Sequence, residues 1–74
     1  MITLRQLRTD RKLRQVNVAR QIGVTSGALS QYESGKRPLP IAYARPLAEI
    51  LGYSVDEVVA AAEASVRANE SQSA

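Results

Sequence analysis

Seventy-four residues with ten basic and seven acidic side chains, a net charge of +3, make one small domain whose core must be thin. Cys and His are both absent, which excludes disulfides and the usual zinc ligands together, so neither a metal nor a cofactor is expected. No apolar run approaches the roughly 20 residues of a membrane span, and Met1–Leu13 is charged throughout where a signal peptide would be apolar, so a cytoplasmic protein is expected.

In chain order, the first element announces itself at Thr3. Thr3 and Gln6 have the spacing of a capping box, with Ile2 and Leu7 as its hydrophobic staple. That spacing predicts a first helix reaching about Lys12 and burying Leu4 and Leu7. A second helix fits Gln15–Ile22, stapled by Leu13 and Val18, with Gly23 behind it as a residue that takes positive φ cheaply. Thr25 is the expected N-cap of a third helix, stapled by Val24 and Leu29 and ended by Gly35. After the basic, proline-bearing loop Lys36–Pro40, the residues Ile41, Ala44, Leu47, Ala48 and Leu51 share one face of a fourth helix that ends at Gly52. Pro46 lies inside it and predicts a kink or a fresh start near Arg45. Ser54 and Glu57 form a second capping box, stapled by Tyr53 and Val58. The fifth helix carries Val55, Val58, Val59, Ala62 and Val66 at helical spacing. Asn69 to Ala74 is polar and is expected to be a disordered tail, which leaves residues 1–68 as the domain. No segment alternates with the period of a strand.

The most specific pattern lies between Gln15 and Ser34. Two short helices joined by Gly23, Val24 and Thr25 can cross steeply only if a small residue sits at their approach and the turn tolerates left-handed φ. Ala19 and Gly23 meet those two needs, and Val18, Ile22, Val24, Leu29 and Tyr32 supply the apolar inward positions. Charge is polarised as well. Met1 to Pro46 holds nine bases and two acids, a balance of +7, while Leu47 to Ala74 holds Arg67 against five acids, a balance of −4. That division suits an anionic partner on one face, and equally a merely solvated basic face.

With Gln15–Arg37 in view, above all Tyr32-Glu33-Ser34-Gly35-Lys36-Arg37, the chain resembles the Cro/phage-repressor-like (XRE-type) helix-turn-helix family from about Leu4 to Val58. The resemblance implies an all-α, compact five-helix, lambda-repressor-like DNA-binding domain whose third helix enters the major groove of double-stranded DNA. It places Ser26, Gly27, Ala28, Ser30 and Gln31 toward base edges. Arg14, Gln15, Thr25, Lys36 and Arg37 fall on the phosphate track, and Arg8 with Glu33 forms a structural ion pair. The sequence departs from the family at Arg14, where a Ser or Thr cap is usual. It departs again at Gly27 and Ala28, where long polar side chains often stand. Base readout then rests mainly on Gln31, which can pair bidentately with adenine, and on Ser26. Arg5, Arg11 and Lys12 read as a solvated face, and Tyr43 has no assigned role.

The Val/Ala stripe of the fifth helix reaches beyond what so small a core needs. Val55, Val59, Ala62 and Val66 are therefore candidates for a homodimer contact, matching a family habit of binding paired half-sites about one DNA turn apart. The expected function is a transcriptional regulator acting as a repressor, of bacterial or phage origin. An alternative is an antitoxin-type or other protein-interaction module that works through its C-terminal helix. An enzyme is not expected, since Asp56 and Glu57 are explained as first-turn charges of a helix.

Overall fold

Five helices follow one another in the computed structural model: α1 (Leu4–Asp10), α2 (Gln15–Ile22), α3 (Ser26–Ser34), α4 (Ile41–Leu51) and α5 (Val55–Ser73). The structure describes residues 2–73, so Met1 and Ala74, the outer ends of the expected domain and tail, lie outside the described residues. Among the described residues there is no strand. Nor is any of their helices long and apolar enough to cross a membrane.

The helix starts follow from their caps. Thr3 Oγ1 accepts from the Gln6 main-chain N–H, and Gln6 Oε1 accepts in return from the Thr3 N–H at 2.8 Å. Ser54 and Glu57 repeat the exchange at the head of α5. Thr25 Oγ1 accepts from the Ala28 N–H at 3.0 Å, and Arg14 makes no side-chain cap at α2, as its residue type dictates.

Two helix ends differ from the sequence expectation, and at Pro46 the fresh start does not occur. Helix α1 closes at Asp10 because Lys12 turns to φ 57, the left-handed region, letting the Leu13 N–H reach back to the Arg8 carbonyl at 3.3 Å. Helix α4 runs through Pro46 without a fresh start. The proline removes a single bond, to the Ala42 carbonyl, while the burial of Ala44, Leu47, Ala48 and Leu51 holds the turns on either side in register. Helix α5 continues through Asn69 to Ser73 where a disordered tail is expected. From Arg67 to Ser73 the chain offers no Gly or Pro to stop it, and Ala68 and Asn69 are half-buried.

Helix α5 lies across α1, α3 and α4, while α2 packs on α3 and α4. Fully enclosed Leu4, Leu29, Leu47, Leu51, Val18 and Val58 form the centre of the core, each contributing about 1.5–3 kcal/mol by burial. The buried face of α5 is Val58, Ala61, Ala64 and Ser65; Val55, Val59, Ala62 and Val66 sit half-buried at its flanks. Small residues face inward there because α5 crosses the main chain at Gly35, where an added Cβ would run into the Ser65 carbonyl group. Beside that crossing the Ser65 hydroxyl accepts from the Leu4 N–H at 3.1 Å and donates to the Ala61 carbonyl at 3.0 Å. It thereby satisfies the first orphan donor of α1.

Candidate nucleic-acid interface

The geometry of α2 and α3 is set by the turn between them. Gly23 takes φ 81, and the Val24 N–H bonds back to the Ala19 carbonyl at 3.0 Å, closing α2 before Thr25 opens α3. Val18, Ala19 and Ile22 of α2 and Leu29 and Tyr32 of α3 are buried together, with Val24 half-buried against them. Six of the seven scaffold positions thus face the inside of the turn, and the seventh, exposed Gly23, supplies the left-handed backbone of the turn itself. On its other side α3 exposes Ser26, Gly27, Ser30, Gln31 and Ser34, and Ala28 is half-buried with part of its surface on the core. The exposed residues form a row on a helix that is rigidly backed by the core.

Behind this row lies a polar network. Arg8 grips Glu33 through Nε to Oε2 at 2.6 Å and Nη2 to Oε1 at 3.2 Å, with the two side chains only 12% and 4% exposed. Arg8 Nη1 donates to the Leu13 carbonyl at 2.7 Å. Gln15 Nε2 also donates to Glu33 Oε1, at 3.1 Å. A bidentate, largely desolvated pair fixes geometry as well as charge. Glu33 so ties α1, the start of α2 and the end of α3 into one frame, and Gln15 keeps its second amide hydrogen for another acceptor.

At the far end of α3, Lys36 and Arg37 are exposed on the loop. Arg37 bends back: Nη1 donates to Gln31 Oε1 at 3.2 Å, and its guanidinium carbon lies 5.7 Å from the centre of the Tyr32 ring. Tyr43, without a role in the sequence reading, stands 6.3 Å from Tyr32, ring centre to ring centre, and helps wall in that residue. Arg5, read as solvated, lines a depression of about 310 Å³ together with Ser30, Ser34 and Lys36, which adds a cation beside α3. Arg11 is not simply solvated either. Its guanidinium donates to the carbonyls of Leu51 at 2.8 Å and Gly52 at 3.2 Å and lies 4.6 Å over the Tyr53 ring, closing the end of α4. Such contacts join residues about forty positions apart, and no local spacing signals them.

The sequence model of a helix-turn-helix domain matches residues 2–62. The chain belongs to that family. No curated protein and no solved structure matches it. In this helix-turn-helix domain the matched stretch takes in α1 to α4 and the first turns of α5, and so covers the whole face just described. The helix-turn-helix is a DNA-binding element, which suggests DNA as the ligand class of this domain.

The candidate dimer residues gather elsewhere. Val59, Ala62 and Val66 line an apolar groove of about 130 Å³ with Leu39 and Ile41, the latter 78% exposed; Val55 does not reach it.

Proposed function

We propose that the protein is a sequence-specific, double-stranded-DNA-binding transcriptional regulator that acts as a repressor by occupying an operator in the cytoplasm of a bacterium or its phage. The observation that carries this reading is the exposed polar face of α3, held from behind by buried Leu29, Tyr32 and Glu33. In this reading α3 enters the major groove, with Ser26, Gly27, Ala28, Ser30 and Gln31 against base edges. Arg14, Gln15, Thr25, Lys36 and Arg37 hold phosphates. The main-chain N–H groups at the start of α2 assist them at the positive end of the helix dipole.

A homodimer on two half-sites completes the proposal. Its support is the groove between Ile41 and α5, an exposed apolar surface beside the half-buried flank Val59, Ala62 and Val66. Titration of selected duplexes at several salt concentrations tests the function. Binding should prefer the selected site over bulk DNA and weaken steeply as salt rises, through counterion release from neutralised phosphates. Equal affinity for all sequences together with no salt dependence would sink the reading.

A further inference from the structure

The contact between Arg37 and Gln31 changes what α3 can recognise. Arg37 is fastened to the end of α3 three times. Its main-chain N–H donates to the Gln31 carbonyl at 3.3 Å, its Nη1 donates to Gln31 Oε1 at 3.2 Å, and its guanidinium faces the Tyr32 ring. A free glutamine side chain offers an acceptor and a donor side by side, the complement of adenine N6 and N7. With one lone pair of its oxygen engaged by Arg37, Gln31 keeps two amide N–H donors against a single remaining acceptor site, and the neighbouring guanidinium carries donors alone. A surface on which donors predominate complements guanine, whose O6 and N7 both accept, better than adenine, whose N6 amino group is itself a donor.

We propose that Gln31 and Arg37 read a base as one unit, and that the base is guanine. This rests on the reading of α3 as the helix that enters the major groove. It replaces the simpler division in which Gln31 reads adenine and Arg37 holds a phosphate.

In vitro selection from random duplexes by the full chain, by Gln31→Ala and by Arg37→Met tests the unit. Gln31→Ala marks the position, because discrimination is lost there. The unaltered chain should select guanine at that position and bind it at least tenfold more tightly than adenine. A duplex with 7-deazaguanine there, lacking the N7 acceptor, should lose a comparable factor. Arg37→Met frees the Gln31 oxygen, so the same position should shift toward adenine while the rest of the selected site stays unchanged. Both side chains are exposed, and the unchanged remainder of the site reports that the variant is folded. The unit is refuted if Arg37→Met weakens every sequence by one factor with base preference intact, or if the unaltered chain selects adenine at the marked position. Selection of no sequence at all by the unaltered chain would overturn the reading of α3 itself, a separate result from a selected site whose preference ignores Arg37.

Discussion

Three side-chain N–H groups converge on the Glu33 carboxylate, two from Arg8 and one from Gln15. Replacing it by glutamine leaves the Arg8 guanidinium in a nearly dry site without its counter-charge. Glu33→Gln should therefore cost about 3–5 kcal/mol in urea unfolding, with the loss in DNA affinity following from misplacement of Gln15. An unchanged midpoint would show that the pair is not a determinant of stability. Gly27 tells the opposite story. A Cβ there would meet nothing closer than Thr25 Oγ1 at 3.9 Å, so the protein itself has no steric need for glycine. Gly27→Ala should raise stability by about 0.4–1 kcal/mol yet weaken binding wherever the α3 main chain approaches DNA closely; tighter binding would refute that approach. At this scale the pair of Arg8 and Glu33 is legible through the family signature that contains Glu33. Gln15 on Glu33 and Arg11 on Leu51 are not legible, since each depends on how separate elements are brought together, and Arg37 on Gln31 depends on the path of the loop that leaves α3.

The turn glycines separate two effects that sequence alone confounds. Gly23 and Gly35 share a left-handed φ, but a Cβ on Gly23 meets open space while one on Gly35 meets the main chain of α5. Gly23→Ala should lose about 1–2 kcal/mol, from φ alone. Gly35→Ala adds overpacking and should lose about 2–5 kcal/mol. Parallel denaturant curves would check this, and equal losses would mean that α5 yields freely. The caps of α1, α3 and α5 are readable because a cap is a matter of three or four neighbouring residues. Of the inward face of α5, Val58 is readable, as the staple of its capping box, but Ala61, Ala64 and Ser65 are not, because the side that faces inward is set by how α5 crosses the other helices. Bulky valines make the visible stripe, but it is the main chain at Ser65 and Val66 that lies against Gly35 where the two segments meet. The continuity of α4 through Pro46 is likewise decided by burial on both sides of the proline, which outweighs the local preference.

For the molecule as a whole, the proposed dimer predicts a mass that depends on Ile41. That side chain is exposed in the single chain, so Ile41→Glu should leave the melting curve unchanged at concentrations where both proteins are monomeric, while weakening self-association about 10- to 100-fold. Sedimentation equilibrium reads the difference, and identical masses for both proteins would exclude this groove as the contact. The bond from the Leu4 N–H to Ser65 Oγ spans 61 positions of sequence, so the first helical amide of the chain is sheltered by its last helix. Amide exchange at Leu4 thus becomes a clock for events at the opposite terminus: its proton can reach water only when α5 lifts away. Ser65→Ala should speed that single exchange about 10- to 100-fold, while the central amides of α2 and α4 keep their rates. Anything that loosens the C-terminal helix, a protease or a bound molecule, would then register first at residue 4 in a proton–deuterium time course.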